Sequence, residues 1–552
     1  MIRFTFSIPM RALVGLVLLL PIFGKPAEGA DDTRTSLVLN GDFATLDADQ
    51  WPTEWPKNGN VTLESEGTAH YLHFTSPDSG TMVMLYRRVK LPNPLPAGLE
   101  LRVKVRFVDV KVGSKPWFDA RIMSKFASDQ GEHLPPDPPA PAFHGDSKGK
   151  WITKSLFFAV PKNAAFIDLM PALFRVSSGT FDLGECDLFP ASDDQIPKPP
   201  PIAKSTTFLP TTNPSRIPKE LHVTGNQLQD SDGKFVQLQG LCLDSLEWSG
   251  KGEHLDASIP VAIEQWHANV IRLPIGLAFW NGRGHYSKPD GGVSYREVVD
   301  KCVEATIGRG AYLVLDLHRF GPPQQQDIDF WKDAAVRYKD NPGVMFELFN
   351  EPHSMSWQLW RYGGSLAEAG ADKNVAENNE HSDAQTTVGM QALVDAVRST
   401  GAKNLIIAGG LDWGFDLSGV ANGYALADQP GTDGIMYSSH LYPWKNGYQS
   451  STLDAAAKFP VFIGEVGNIN SWSDFKFIPP SQQTEPVGPT SRWPIDMLGM
   501  IQKYKLNWTG FSFHPKCGPD VISDWNYTPT DYWGIYVKKA LAGEQFAMQR
   551  MR

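Results

Sequence analysis

Two glutamates in the chain each follow a short apolar run, in a setting that suits acid–base or nucleophilic chemistry. Glu351 lies in an Asn-Glu-Pro sequence after the apolar run 344–349, and Glu465 follows the run 459–464. If both runs are strands of one parallel barrel, their carboxylates meet at its carboxyl-terminal mouth. Two carboxylates at that place are the arrangement that cleaves glycosidic bonds. The sequence therefore predicts a glycoside hydrolase.

Other polar residues follow neighbouring apolar runs and could support the two glutamates. Arg272 lies among apolar residues and needs an anionic partner. A nearby arginine and a hydrogen bond from Tyr442 would lower the pKa of Glu465, which keeps a nucleophilic carboxylate ionised. The residues also have simpler interpretations: Arg272 could pair with Asp244, and His318 could be a satisfied core histidine.

The elements that would position these residues alternate along the second half of the chain. Met390, Leu393, Val394 and Val397 are spaced by three or four residues and predict one helix, which Gly401 should end. Strand, helix and strand in repetition indicate a (β/α)8 TIM barrel. The eight predicted strands are Val236–Cys242, Asn269–Pro274, Ala311–Leu317, Val344–Phe349, Asn404–Ala408, Gly434–His440, Val461–Gly464 and Asn507–Phe513.

Four segments of different composition predict the domain organisation. Residues 1–30 have a basic start, an apolar stretch and small residues suited to cleavage, which indicates a signal peptide. Residues 31–190 contain alternating strands such as 99–107 and predict an all-β jelly-roll sandwich. Residues 191–216 are rich in proline and predict a semi-rigid linker, and residues 217–552 form the predicted barrel.

Composition limits the partners that the protein could have. The formal net charge is −10 and basic residues are not clustered, which argues against nucleic acid and favours a neutral polymer. A signal peptide predicts a secreted or periplasmic protein, and no later apolar run is long enough to span a membrane. We expect a monomer that binds polysaccharide and neither nucleic acid nor, after signal cleavage, a membrane.

The cysteine and histidine spacings predict no metal site and no cofactor. The four cysteines match no zinc pattern, and His318 with His440 lacks the spacing of a metal hydrolase. Closure of the barrel makes the first and last strands neighbours and could bring Cys242 and Cys517 near each other, so they are either two buried free thiols or a disulfide.

The strand-end motifs resemble those of glycoside hydrolase family 5, the cellulase family in a clan of TIM-barrel glycosidases with two catalytic glutamates. The resemblance covers about residues 217–545. It implies that Glu351 is the general acid/base, that Glu465 is the nucleophile and that Asn350 bonds the sugar 2-hydroxyl. It also implies carboxyl groups about 5–5.5 Å apart and retention of configuration. The supporting residues that it implies are Arg272, His318, His440 and Tyr442.

Aromatic residues near strand ends are candidates for stacking against sugar rings, because a pyranose face packs well on a flat apolar ring. Trp444, Trp280 and Trp248 are the predicted platforms, as is Trp413. After the eighth strand, Phe513 stands where family 5 usually has a tryptophan. This departure leaves fine specificity open.

The first half of the chain carries a weaker resemblance. It opens with Asn40-Gly41-Asp42-Phe43, and a strand at 180–188 closes it. These features resemble carbohydrate-binding modules of the galactose-binding-like group. The resemblance implies sugar binding, and a sandwich that merely positions the barrel is the alternative.

Within family 5, the predicted activity is endo-β-1,4-glucanase. A β-mannanase or another β-glucanase is the alternative on the same scaffold, because loops and not the two glutamates select the sugar. From another class, the chain could be a non-catalytic polysaccharide-binding protein. Such a protein would be expected to have lost Glu351, Glu465, Asn350 or Arg272, and all four are present.

Overall fold

A computed structural model describes most of the chain. The chain divides into two compact units, Met1–Lys198 and Pro199–Arg552. The predicted signal peptide lies outside the described residues. In the described part no helix is long and apolar enough to cross a bilayer. The described residues are 34–113, 117–134, 137–198, 205–210, 216–284, 287–366 and 386–552.

The first unit consists of two antiparallel sheets. One sheet has the strand order β1-β2-β11-β5-β9, and the other has the order β3-β10-β6-β7 with β4 on β10 and β8 on β6. The strands are β1 (Val61–Glu66), β2 (Ala69–Thr75), β3 (Met82–Met84), β4 (Arg87–Lys90), β5 (Gly98–Lys111), β6 (Ala120–Ala127), β7 (His133–Leu134), β8 (Ala142–Phe143), β9 (Ile152–Ala159), β10 (Phe166–Phe174) and β11 (Ser178–Ala191).

The alternation seen in the sequence places the core of this unit. Leu101, Val103 and Val105 of β5 are fully buried and share a cluster with Ile122 of β6 and Leu169 of β10. Apolar side chains at every second position thus face the opposite sheet, as strand geometry requires. The prediction of a β-rich first half with antiparallel sheets is confirmed.

The second unit is a closed barrel of eight parallel strands, as predicted. A hairpin of β12 (Leu221–Thr224) and β13 (Gln227–Asp230) precedes it. A short pair, β18 (Gly364–Ser365) and β19 (Thr386–Thr387), lies outside it. The barrel strands in order are β14 (Gln239–Cys242), β15 (Val270–Ile275), β16 (Tyr312–Leu317), β17 (Val344–Glu347), β20 (Ile406–Gly409), β21 (Ile435–Leu441), β22 (Val461–Val466) and β23 (Asn507–Gly510).

Helices connect the barrel strands. Met390, Leu393, Val394 and Val397 are buried in α6, and Gly401 follows with φ +81°, so this helix prediction is confirmed. The α-helices are α1 (Leu255–Pro260), α2 (Leu277–Trp280), α3 (Val293–Ile307), α4 (Gln325–Tyr338), α5 (Trp357–Tyr362), α6 (Gly389–Arg398), α7 (Asp454–Ala456), α8 (Trp493–Lys503) and α9 (Gly534–Leu541).

The first and last barrel strands are each three residues shorter than predicted, for local reasons. The first begins at Gln239 and not at Val236, because the amide of Val236 donates to the carbonyl of Leu228 and extends the preceding hairpin. The last ends at Gly510, after which the amide of Phe513 donates to Cys242 of the first strand. The chain beyond Gly510 therefore stays bonded to the first strand without continuing the last one.

Part of the proline-rich segment packs on the barrel, where the sequence predicted a linker. Phe208 contacts Tyr338 of α4 edge-on, with ring centroids 6.1 Å apart, and its amide donates to Arg337. Ser205 bonds Asp333 through its amide at 2.8 Å and through its hydroxyl at 2.9 Å. Residues 205–210 therefore contribute to the stability of the second unit.

We expect Phe208→Ala to lower the free energy of unfolding of the barrel by about 1–2 kcal/mol, because it removes a partly buried ring. The neighbouring Leu209 is 58% exposed, so Leu209→Ala is the matched control and should change stability by less than about 0.5 kcal/mol. Chemical denaturation followed by tryptophan fluorescence measures both. A loss of stability for Phe208→Ala that is no larger than the small loss expected for Leu209→Ala would mean that the Phe208 ring does not stabilise the barrel.

Candidate active site

Glu351 and Glu465 meet at the carboxyl-terminal mouth of the barrel. Glu465 lies in β22, and Glu351 lies four residues beyond the end of β17. One ligand oxygen of each carboxylate, together with a ring nitrogen of His440, lies within 4.8 Å of the others. Retaining glycosidases need carboxyl groups about 5–5.5 Å apart, and inverting enzymes need about 6.5–9.5 Å. The nearest oxygens of Glu351 and Glu465 are close enough for the shorter of these two arrangements.

His440 connects the two glutamates. Its Nδ1 lies 2.8 Å from Glu351 Oε1 and 3.6 Å from Glu465 Oε2. Burial would lower the pKa of His440, but the charges of Glu465 and Glu351 raise it above its usual value. A protonated His440 can donate to Glu351 from Nδ1, which fixes the orientation of that carboxylate.

Arg272 of β15 is fully buried and bonds four groups from three other barrel strands or their ends. Its Nη1 donates to Glu465 Oε1 at 2.9 Å, and its Nε donates to Glu347 Oε2 at 2.6 Å. Its Nη2 lies 3.0 Å from Asp316 Oδ2 and donates to Asn350 Oδ1 at 2.7 Å. The prediction that Arg272 needs an anionic partner is met by three carboxylates.

The surroundings of Glu465 favour its ionised form. Burial alone would raise the pKa of Glu465, but the positive charges of His440, Arg272 and His318 and a hydrogen bond from Tyr442 lower it to about 2. The Tyr442 hydroxyl donates to Glu465 Oε2 at 2.5 Å, while Arg272 holds Oε1. Both oxygens are thus held by donors, and the carboxylate keeps one orientation.

Asn350 presents a free donor beside the two glutamates. Because a guanidinium only donates, the contact with Arg272 fixes Oδ1 as the atom facing it. Its Nδ2 has no hydrogen-bond partner among the described residues although Asn350 is fully buried. An unpaired buried amide is costly, so a bound ligand that accepts this hydrogen bond would be favoured.

His318 is held between two carboxylates. Its Nδ1 lies 2.6 Å from Asp316 Oδ2, and its Nε2 lies 3.5 Å from Glu247 Oε2. Burial would lower the pKa of His318, but the charges of Glu247 and Asp316 raise it to about 10. The ring is therefore a cation at neutral pH.

A glycine before Glu465 makes room for this arrangement. A Cβ on Gly464 would lie 2.5 Å from Ser438 Oγ and 3.1 Å from both Glu347 Oε1 and His440 Nε2. Any side chain at this position would displace those groups. The Gly-Glu sequence is thus a packing requirement of the site.

Three of the predicted aromatic platforms, Trp444, Trp248 and Trp413, are partly exposed. Trp444 stacks on Tyr442 with ring centroids 4.5 Å apart and planes 5° apart, and it also contacts Phe475, which lines a cavity of about 340 Å³. Trp248, beyond the first strand, is 39% exposed. The half-buried Trp413 stacks on His353, with ring centroids 3.7 Å apart. Each retains surface that could contact a ligand.

Two other aromatic predictions are wrong. Trp280 is fully buried, donates to Asp333 and packs edge-on against Phe330, so it belongs to the core. Phe513 is 1% exposed and contacts Trp266. Phe511 is the residue beyond the eighth strand that approaches the site, with its ring 6.5 Å from that of Tyr442. The strand ends three residues earlier than predicted, which changes the side chain that faces the mouth.

Three carboxylates of the site were not assigned from sequence. Glu347 and Asp316 lie inside apolar strands and are fully buried, and both pair with Arg272. A charged residue within a buried apolar run signals a buried ion pair, so these two could have been found. Glu247 lies in a loop, where a single glutamate carries no such signal.

Glu351, His440 and Glu465 are also the three groups within the described residues whose ligand atoms could share one metal ion. A structural zinc needs four ligands, and a catalytic zinc needs three ligands and an open position. The Nδ1 of His440 bonds Glu351. The prediction that the protein uses no metal stays a prediction. The cysteines in the described residues, Cys242 and Cys517 among them, are free thiols.

A parallel eight-stranded barrel with two glutamates at its mouth defines a glycoside hydrolase of TIM-barrel type. The profile of one family, Cellulase (glycosyl hydrolase family 5), matches residues 229–517, slightly more than half of the chain. The chain belongs to this family, as the motifs at the strand ends predicted.

Curated relatives are distant. The chain is 23% identical over 330 residues to endoglucanase MaCel5A of Microbulbifer sp. (strain ALW1), covering 57% of this chain and 55% of that protein. It is 25% identical over 321 residues to endoglucanase CelA of Streptomyces lividans, covering 56% and 60%. The chain thus spans less than two thirds of the length of these relatives.

Among solved structures, the chain is similar to β-glucanase SdGluc5_26A from Saccharophagus degradans in complex with cellotetraose. The two are 22% identical, the TM-score is 0.46, and the match covers 64% of this chain and 99% of that chain.

We expect Tyr442→Phe to move the acidic limb of the pH–rate profile upward by about one pH unit, because a hydrogen bond to a charged carboxylate is lost. The pKa of Glu465 is depressed, so activity is lost as pH falls through it, and a raised pKa moves that loss to higher pH. Arg272 is a poorer probe, since its removal also leaves Glu347 without its cationic partner and takes one of two such partners from Asp316.

Tyr448→Phe is the control for this variant, because Tyr448 is buried and donates to the Tyr442 carbonyl and not to Glu465. Its acidic limb should stay in place. Initial rates on a soluble β-glucan between about pH 2 and 8 measure the wild type and both variants. An acidic limb that moves equally in both would show that the hydroxyl of Tyr442 does not set the ionisation of Glu465.

Proposed function

We propose that the protein is a secreted endo-β-1,4-glucanase that hydrolyses β-glucan with retention of configuration by double displacement. One observation carries the proposal: two carboxylates whose oxygens lie within 4.8 Å of each other differ in their surroundings. Glu465 is held ionised by Arg272 and Tyr442, while Glu351 bonds only one ring nitrogen, that of His440. Unequal environments assign unequal roles to a carboxylate pair.

In the first step Glu465 attacks the anomeric carbon, and the bond from that carbon to the leaving glycosidic oxygen breaks. Glu351 gives its proton to the leaving oxygen, and a covalent glycosyl ester of Glu465 forms. Arg272 and Tyr442 keep Glu465 ionised and oriented for the attack. The unpaired Nδ2 of Asn350 is suited to donate to the sugar 2-hydroxyl oxygen, a contact that strengthens in the transition state.

In the second step Glu351 removes a proton from water, and the water oxygen attacks the anomeric carbon. The ester bond to Glu465 breaks and returns a carboxylate, while Glu351 regains its proton. His440 lies 2.8 Å from Glu351 and within 3.6 Å of Glu465, so it can hold Glu351 in place through both steps. Two inversions at one carbon give net retention.

The proposed substrate rests on the comparisons. The curated relatives are named endoglucanases, and the similar β-glucanase binds cellotetraose. Trp248 and Trp444 offer partly exposed rings near the glutamates, as a chain of glucosyl units would require. β-Mannan is the competing substrate, and initial rates on carboxymethyl-cellulose, mannan, xylan and mixed-linkage β-glucan discriminate between them.

We further propose that residues 1–30 direct export of the protein. We also propose that the sandwich, residues 31–190, binds polysaccharide and is joined to the barrel by the proline-rich segment, residues 191–216. The basic and apolar start supports export, and the motif Asn-Gly-Asp-Phe supports a binding module. A tethered module raises the effective concentration of the enzyme at an insoluble surface.

We expect Glu351→Gln and Glu465→Gln each to lower kcat on a soluble β-glucan by at least about 10²–10⁴-fold, because each group acts at the bond that is cleaved. Neither side chain fills the apolar core, so circular dichroism and melting temperature should stay close to those of the wild type. Glu264→Gln, which removes an exposed glutamate paired with Arg309, is the control and should retain full activity. A folded variant of either catalytic glutamate with a near-normal rate contradicts the assignment.

Azide separates the two roles when the substrate is an aryl glycoside with a good leaving group. With Glu351→Ala, azide should attack the glycosyl ester and yield the β-azide, which retains configuration. With Glu465→Ala, azide should attack the substrate directly and yield the inverted α-azide. Nuclear magnetic resonance of the products distinguishes these anomers, and exchanged anomers would exchange the roles.

We expect a chain that lacks residues 31–198 to lose more activity on insoluble cellulose than on a soluble β-glucan. A tethered binding module raises the effective concentration of the enzyme at an insoluble surface, and a soluble substrate has no such surface. The chain that begins at Pro199 keeps residues 205–210 and their contacts with α4. Rates on the two substrates, at equal concentration of folded enzyme, give the comparison. An equal loss on both would mean that the sandwich serves as a structural partner.

A further inference from the structure

Glu247 is a further carboxylate at the barrel mouth, and it has no role in the two steps proposed above. It lies five residues beyond the end of β14. Its side chain is 30% exposed, whereas those of Arg272 and Asp316 are fully buried and that of His318 is 4% exposed. Of the acidic side chains that contact His318, Glu247 is therefore the one that a ligand can reach.

The backbone holds Glu247 in place before any ligand arrives. Its amide donates to the Asp244 carbonyl at 2.9 Å, and the hydroxyl of Tyr295 donates to the Leu246 carbonyl at 2.7 Å. A Cβ on Gly276, beyond the second strand, would lie 2.7 Å from the Glu247 carbonyl oxygen, so the two loops pack closely. A binding group that is already positioned loses little entropy when it binds.

The next residue supplies an aromatic surface. Trp248 is 39% exposed, its ring lies edge-on to that of His514 at 5.4 Å, and its Nε1 donates to Glu253 at 3.3 Å. A hexopyranose presents an apolar C–H face and a rim of hydroxyl donors. An exposed indole beside a fixed carboxylate matches both features.

Glu247 also ends a series of alternating charges that begins at the proposed nucleophile. The series is Glu465, Arg272, Asp316, His318 and Glu247, and the distances between successive members are 2.9, 3.0, 2.6 and 3.5 Å. Anything that binds at Glu247 therefore shares a charge network with the reacting group.

We propose that Glu247 is a specificity-determining, substrate-binding residue, whose carboxylate accepts hydrogen bonds from hydroxyl groups of the glucosyl unit that stacks on Trp248. This inference rests on the proposed β-glucan hydrolysis and adds a residue that selects the sugar. A charged acceptor bonds hydroxyls more strongly than a neutral amide does, so the negative charge and not only the shape of Glu247 should matter.

The ionisation of Glu247 should make substrate binding depend on pH. Burial raises the pKa of Glu247 to about 7, the positive charge of His318 opposes this, and nearby acidic groups add to it. The carboxylate form accepts the hydroxyl bonds, so KM should rise as pH falls below about 7. The titratable and charged groups that face Glu247 are His318, Asp244, Glu465, Asp316, Tyr295 and Cys517.

Glu247→Gln tests the inference, because it keeps the size and removes the charge. We expect KM for cellotetraose at pH 8 to rise about tenfold, as the loss of a charge-assisted bond predicts, with kcat changed by less than about threefold. The dependence of KM on pH between 5.5 and 8 should disappear. Glu264→Gln is the matched control and should leave KM and its pH dependence unchanged.

An unchanged KM, or a lowered kcat with normal KM, would overturn the inference, since the second result would mean that Glu247 acts only through His318. Calorimetric binding of cellotetraose to Glu351→Gln, with and without Glu247→Gln, separates this inference from the proposed function. Binding that weakens about tenfold in a protein whose wild type hydrolyses no β-glucan would sustain the role of Glu247 and refute the activity. Hydrolysis with binding that is indifferent to Glu247 would do the reverse.

Discussion

The buried guanidinium of Arg272 is the interaction on which the barrel mouth depends. It bonds Glu465, Glu347, Asp316 and Asn350, which come from three strands or their ends. A buried charge without partners is very costly, and loss of one partner from such a pair costs about 3–5 kcal/mol. The strands must therefore meet in the register that brings these groups around Arg272. Barrel closure and the assembly of the site are consequently one requirement.

The same cation explains why the two catalytic candidates differ. Arg272 and Tyr442 hold both oxygens of Glu465, whereas Glu351 lies farther out and bonds only His440. The two carboxylates are close, so a common environment would leave them competing for one proton. This competition is removed because the donors Arg272 and Tyr442 bond Glu465 and not Glu351. Asymmetry around the pair, more than the presence of two glutamates, allows one group to attack and the other to carry a proton.

Sequence reasoning located the barrel, its family and the residues that converge at its mouth, because strand ends in a parallel barrel share one edge. It was less successful where side-chain direction decides. Trp280 and Trp248 both follow strands, yet one is fully buried and the other is 39% exposed. Phe511 and Phe513 differ by two positions beyond a strand whose end was misplaced by three residues. Such distinctions depend on loop conformation, which apolar periodicity does not encode.

The loops also separate what the scaffold requires from what selects the sugar. Arg272, Asp316 and Glu347 lie within strands and are fully buried, so replacing one of them breaks a buried ion pair and destabilises the fold. Glu247 and Trp248 lie beyond a strand and keep exposed surface, so their replacement leaves the buried network in place. Their contact with that network is the single approach of Glu247 to His318 at 3.5 Å. Specificity can therefore vary at this edge while the charges that control Glu465 remain constant.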